Sequence, residues 1–329
     1  MTRQNRFSSQ HFVQGFSLIE LMVSLTIGLL IVTAAFSAYM GASGAGKVAE
    51  SQGRMNEDAQ AALTILVQQL RMAGNNPHQA ERSDKARHNP VYSPYPAVFT
   101  PLPATFSLSA FSLRGCDGKF SNLATSSSID ALNCAAGSNA LADSIAVSYE
   151  ADAYNSIGLT DCLGAELRQI KATFVPPESS NDPYYVATNL FYIDTSASIV
   201  SPSLFCKGNG IGSVAKPLVE NIEDMQITYG AVKAVTAVDE TKTAVIAGYL
   251  RADEMISQSD LANLPNDAER WAKVIAVRIC VLVRSEAPVV TDAVSARYLR
   301  CDGTTNTAPP DLRLRRAYYA TVVLRNRRL

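Results

Sequence analysis

The sequence predicts an α+β protein: one long N-terminal helix followed by a head built on an antiparallel β-sheet. Three observations carry this expectation. Residues 21–46 hold no charge and are largely apolar, and residues 47–73 continue with apolar side chains at helical spacing. From about residue 91 the apolar segments shorten and fill with β-branched and aromatic side chains. Helix first and strands afterwards is the order of an α+β domain whose sheet packs on the amphipathic part of the helix.

The chain of 329 residues has room for one large globular domain once an apolar anchor is set aside. Its formal net charge of −1 points to no polyanionic partner for the molecule as a whole. The first 14 residues carry Arg3 and Arg6 and no acid, which predicts that this end stays cytoplasmic. The uncharged run that follows is long enough to span a bilayer, which takes roughly 20 apolar residues. A rival reading takes Ala-Ser-Gly-Ala-Gly at 42–46 as a signal-peptidase site, which would release a soluble periplasmic protein starting near Lys47.

The pattern beyond that site argues against the rival. Met55, Ala59, Ala62, Leu63, Leu66, Leu70 and Ala73 recur at steps of three and four, a helical stripe opposite Arg54, Glu57, Asp58 and Arg71. Gly74-Asn75-Asn76-Pro77 then ends the helix, with glycine suited to the C′ position and proline unable to continue. Residues 16–73, if helical throughout, make a rod of about 85 Å at 1.5 Å per residue. Gly41, Gly44 and Gly46 mark a weak point, since each costs about 1 kcal/mol relative to alanine.

Five strands are expected in the head: Ser144–Glu150, Tyr184–Ile193, Met225–Tyr229, Val274–Arg284 and Ala317–Leu324. Residues 121–130 and 176–183 read as surface loops, and a short helix is expected at Ser257–Leu264. Cys116, Cys134, Cys162, Cys206, Cys280 and Cys301 all follow the apolar segment and form no CxxC pair. An exported domain with an even cysteine count suits disulfides, the alternative being buried thiols in a cytosolic protein. Sequential pairing (Cys116–Cys134, Cys162–Cys206, Cys280–Cys301) is expected because each bridge then closes one loop around a turn or between adjacent strands.

No enzymatic activity, metal or cofactor is expected. His78 and His88 lack zinc-ligand spacing, and no HExxH, GxSxG or P-loop occurs. Asp117-Gly118-Lys119 lacks the flanking acids of a calcium loop and reads as a turn. The C-terminal stretch RLRRAYYATVVLRNRRL interleaves tyrosines with arginines, so Arg313, Arg315, Arg316 and Arg325 are candidate nucleic-acid contacts. The preferred reading is a C-terminal strand with a solvated basic rim that meets acidic neighbours, so nucleic acid is not the expected partner.

Glu20 is the anomaly, a carboxylate at the mouth of a membrane segment, where charge is costly. The helix dipole offsets only part of that cost. One alternative places the acid at headgroup level. Gly15-Phe16-Ser17-Leu18-Ile19-Glu20-Leu21-Met22-Val23 resembles the class III signal of type IV prepilins and type II secretion pseudopilins. The resemblance implies that a prepilin peptidase cuts the Gly15–Phe16 bond and methylates the new Phe16 amine. Glu20 then pairs with the N-terminal ammonium of a neighbouring subunit. Residues 1–15 become a leader, 16–40 a transmembrane half-helix, 41–74 its amphipathic continuation and 75–329 the exported head.

Leu70-Arg71-Met72-Ala73-Gly74, Pro217–Gly230 (PLVENIEDMQITYG) and Trp271–Ile279 (WAKVIAVRI) resemble the minor pilin W family. Related segments occur in the J-type minor pseudopilin of type II secretion, the alternative assignment. The likeness covers the first 75 residues well and the rest in patches. It implies a role in starting pilus assembly with other minor pilins and the major pilin, at or near the pilus tip and beside a tip adhesin. It also implies an inner-membrane stage with the head in the periplasm, then a place in the cell-surface pilus. The helix has no proline before Pro77, unlike many major pilins, and the 15-residue leader is longer than the shortest in the family.

Overall fold

The computed structural model describes residues 15–75, 111–123, 129–135, 142–152, 158–170, 184–195, 200–232, 246–257, 261, 264 and 266–326. The N-terminal basic residues, His78, His88, the loop at 176–183 and most of Ser257–Leu264 lie outside these. The chain divides into two units, Met1–Glu50 and Ser51–Leu329.

In the first unit the backbone is helical from Leu18, the start of α1 (Leu18–Met72). Every large apolar side chain from Phe16 to Met40 is exposed. An 18-residue window of the helix has a mean hydropathy of 2.2, long and apolar enough to cross a membrane. The helix continues through Gly41, Gly44 and Gly46. Main-chain hydrogen bonding therefore outweighs the glycine penalty at the expected weak point.

In the second unit α1 becomes one side of a core. Met55, Ala59, Ala62, Leu66, Leu70 and Ala73 are buried, and Leu63 is half-buried. Gly74 ends the helix with φ 71°, a left-handed conformation that costs glycine little. Its N–H donates to the Ser148 carbonyl (2.9 Å), and the Glu150 N–H donates to the Asn75 carbonyl (2.9 Å). The helix terminus is thereby tied to a strand and its end groups are satisfied.

That strand belongs to a six-stranded antiparallel sheet. Its members are β1 (Leu113–Cys116), β2 (Ser144–Ala151), β3 (Gln169–Ile170), β4 (Tyr184–Asp194), β5 (Ser203–Lys207) and β6 (Lys216–Glu220). The order is β1-β2-β4-β5-β6, with β3 also on β4. All of β2 is buried, so its sequence does not alternate. A second antiparallel sheet comprises β7 (Ile222–Val232), β8 (Ile246–Leu250), β9 (Val274–Arg284) and β12 (Arg315–Val323), in the order β12-β9-β7-β8. β10 (Tyr298–Leu299) and β11 (Thr305–Asn306) form a small hairpin.

One residue carries the chain from the first sheet into the second. Asn221 lies between β6 and β7 at φ 63°, and asparagine tolerates this region better than most side chains. Its carbonyl accepts from the Arg284 N–H (2.9 Å), and its side-chain oxygen accepts from the Ser201 hydroxyl (2.8 Å). The sheets also meet at Gly115 of β1, where any Cβ would overlap the Tyr229 hydroxyl of β7. α2 (Glu254–Ser257) precedes α3 (Asp267–Ala272). Asn266 caps α3 by accepting from the Glu269 N–H (2.9 Å), which seats Trp271 edge-on against Tyr229 at 4.8 Å.

Candidate functional site

The start of α1 is built as a capping box. Gly15, Phe16 and Ser17 precede the helix. The Ser17 hydroxyl accepts from the Ile19 N–H (3.2 Å), and the Glu20 carboxylate accepts from the Ser17 N–H (3.0 Å). Two amides left without helical partners are thus satisfied by one S-x-x-E pair. The box also sets where the helix begins, leaving the Gly15–Phe16 bond outside it. Both residues of that bond lie in non-helical, exposed chain.

The polar side chains further along are neutralised locally. The Ser24 hydroxyl donates to the Glu20 carbonyl (2.6 Å), Thr26 to Val23 (2.8 Å), Thr33 to Leu29 (3.0 Å) and Ser37 to Thr33 (2.9 Å). Hydroxyls bonded back to helix carbonyls carry little desolvation cost, so they do not spoil an apolar surface. Glu20 is consequently the one ionisable group between Phe16 and Met40 apart from the Tyr39 phenol.

The head holds its loops with three disulfides, Cys116–Cys134, Cys162–Cys206 and Cys280–Cys301, and no free cysteine. They close sequence separations of 18, 44 and 21 residues. In the chain-entropy account that stabilises the fold by about 3, 4 and 3 kcal/mol. The first and third fasten peripheral segments to β1 and β9, and the second fastens the loop before β3 to β5.

The terminal arginines divide into two groups. Arg315 does not fit a nucleic-acid contact. Its side chain is buried, with Nε 2.5 Å from Glu223, Nη2 3.0 Å from the same carboxylate and Nη1 2.7 Å from Asp311. Tyr298 lies over its guanidinium at 5.3 Å. Burial alone would loosen its proton, but the hydrogen bonds and charges of the two carboxylates together outweigh that effect and hold the proton more firmly than usual. Arg313 is half-buried beside Asp311 (3.7 Å). Arg316 and Arg325 remain exposed, Arg316 near the Tyr318 ring at 5.6 Å.

Two buried acids join the sheets. Asp143, just before β2, accepts from the Ile227 N–H of β7 (2.7 Å) and the Gly118 N–H (3.2 Å). Burial pushes its carboxyl up to about 7 despite those donors. Asp117 accepts from the Ala252 and Asp253 N–H groups (3.2 and 3.1 Å) and faces Arg251 at 3.5 Å. Burial and its contact with Asp253 push it up to about 6. These contacts fasten the turn at Gly118 (φ 91°) to the neighbouring sheet.

The capping box was readable in the sequence as serine followed three residues later by glutamate before an apolar run. Considering Glu20 only as one half of an intermolecular ion pair hides its local partner.

Comparison with known proteins adds two matches. The family described as type IV pilus-assembly protein W matches residues 190–326, a span that contains all of the second sheet. The prokaryotic N-terminal methylation motif matches residues 12–36, a span that includes the capping box. No curated protein matches the chain. A solved type IV-like pilin from Thermus thermophilus is similar at 14% identity, covering 57% of this chain and 81% of its own, with a TM-score of 0.24. A likeness that loose supports no inference.

Proposed function

Because this chain is a type IV pilus minor pilin of the W family, with a prepilin-type N-terminal signal, we propose that it primes pilus assembly as a non-catalytic subunit. The prepilin peptidase cuts the Gly15–Phe16 bond and methylates the Phe16 amine. Residues 16–40 then sit in the inner membrane, with 41–74 continuing the helix and the head facing the periplasm. Its partners are other minor pilins and the major pilin. The complex they form ends at the pilus tip, where it can present an adhesin.

The observation that carries this reading is the first half of α1. From Phe16 to Met40 its large apolar side chains face outward, its hydroxyls are satisfied internally, and only Glu20 invites a charged partner. In one subunit that carboxylate accepts from a neutral amide, the Ser17 N–H. A neighbour's Phe16 ammonium offers a charge-assisted bond roughly twice as strong. Exchanging one donor for the other favours association of processed helices and gives unprocessed ones no such gain.

Intact-mass and N-terminal analysis of the mature protein tests processing: a methylated chain beginning at Phe16 is expected, and one beginning near Lys47 overturns the proposal. Deletion tests the role, with loss of surface fibres and twitching expected while protein secretion continues. Retained exoproteins with intact pili would instead assign the chain to a type II secretion system as a J-type pseudopilin.

A further inference from the structure

The strand edges of the head are unequal. The first sheet ends at β1, four residues long, and at β6, five residues long with Pro217 and a register shift against β5. On the second sheet β8 has five residues and a register shift against β7. Short strands, prolines and irregular register are the usual devices that stop an edge from pairing with another chain. β12 uses none of them. It runs nine residues without proline, in unbroken register with β9 from Arg315↔Arg284 to Val323↔Ala276.

The phase of its hydrogen bonding follows from one contact. The Leu324 N–H donates to the Ile275 carbonyl, so even-numbered residues bond β9. The N–H and C=O groups of Ala317, Tyr319, Thr321 and Val323 therefore point away from β9, and among the described residues these backbone groups have no partner. The β10–β11 hairpin approaches only the first half of the strand, through Tyr298 over Arg315 and the Tyr319 hydroxyl donating to the Arg300 carbonyl (3.5 Å). Tyr319, despite that contact, and Val323, beyond the hairpin, are 50% and 62% exposed, offering side-chain neighbours to an added strand.

We propose that β12 is a strand-addition edge whose occupant is an extended segment of a partner protein with carboxylates at both ends. Main-chain bonds to Ala317, Tyr319, Thr321 and Val323 hold it, and charge selects it. Arg316 and Arg325 bracket the open stretch, both are exposed, and neither makes an ion pair among the described residues. A second copy of this chain is the disfavoured occupant, because it brings the same arginines to an edge that already carries them, and like charges across paired strands are destabilising. Naming the partner as a pilus subunit rests on the proposed function, whereas the edge itself does not.

The test uses full-length protein in detergent and a fluorescent nine-residue peptide of alternating threonine and valine with glutamate at both ends. A lysine-ended version is the control. Anisotropy is expected to show at least tenfold tighter binding of the glutamate-ended peptide at low salt. Thr321→Pro is expected to weaken it at least tenfold. The Thr321 N–H makes no bond to β9, so this proline removes none of the native ladder. Reversing both charges (Arg316→Glu with Arg325→Glu) is expected to reverse the peptide preference, and it decides the matter alone if the proline variant misfolds. No saturable binding at millimolar peptide, equal binding of both peptides, or unchanged binding by Thr321→Pro overturns the proposal. So does a wild-type dimer that Thr321→Pro abolishes, which would give the edge to a second copy. None of these outcomes bears on processing at Gly15 or on assembly phenotypes, so failure here and failure of the assembly reading remain distinguishable.

Discussion

Leu66→Ala separates the two roles that one helix plays. Leu66 is 1% exposed, within the core shared by α1 and the sheets. Truncation removes its transfer free energy and leaves a cavity that a disulfide-bonded head collapses into poorly, so the expected loss is about 3 kcal/mol. Alanine favours helix, so no propensity penalty contributes. With a urea m-value of about 3 kcal/mol per molar, the midpoint should fall by about 1 M. Trp271 reports the transition: it is the chain's single tryptophan, 5% exposed against Tyr229, and its emission should shift red on unfolding. The matched control is Leu30→Ala, in the exposed apolar half at 68%, which should move the head's midpoint by less than ~0.2 M. Equal midpoints for Leu66→Ala and wild type, or an equal shift from Leu30→Ala, would refute the division of the helix into an exposed apolar half and a core half.

Asp143 makes a pH prediction of the less common sign. Its folded pKa of about 7 lies above the unfolded value of about 3.9, so the native state binds more protons between those limits. Stability therefore falls as pH rises through that window, and Asp117, raised to about 6, acts in the same direction. The urea midpoint should be higher at pH 5 than at pH 8, and Asp143→Asn should flatten the difference. A midpoint that climbs over the same range would contradict the burial argument. Replacing Cys280 and Cys301 together by alanine should cost about 3 kcal/mol, read as a lower thermal midpoint with the rest of the head still folded. An unchanged midpoint would show that the β10–β11 hairpin is held without its tether.

Periodicity made much of the architecture legible. The stripe from Met55 to Ala73 predicts the buried face of α1, and the stop at Gly74 predicts its end, because a helix buries every third or fourth residue and needs a left-handed cap. The long strands β2, β4, β7, β9 and β12 were readable from β-branched and aromatic runs. β1, β3, β5 and β6 were not, since two to five residues are too few to display a period. α3 also escaped notice. Its signal was the Asn266 cap followed three residues later by Glu269, rather than an apolar stripe.

By itself the sequence determined the N-terminal methylation motif, the apolar half-helix and the helical stripe below it. Each is a local pattern, set by residue type and spacing within one segment. Tertiary structure decided how the strands divide between two sheets, because that turns on one left-handed residue, Asn221, and on which distant strands find each other. It also decided the fate of the arginines. Arg315 and Arg316 are neighbours of identical chemistry, but the alternation of a strand sends one beneath Tyr298 to Glu223 and Asp311 and leaves the other at the surface. Charge can be counted along a chain, but whether a charge is spent on the fold or free for a partner depends on what lies across from it in space.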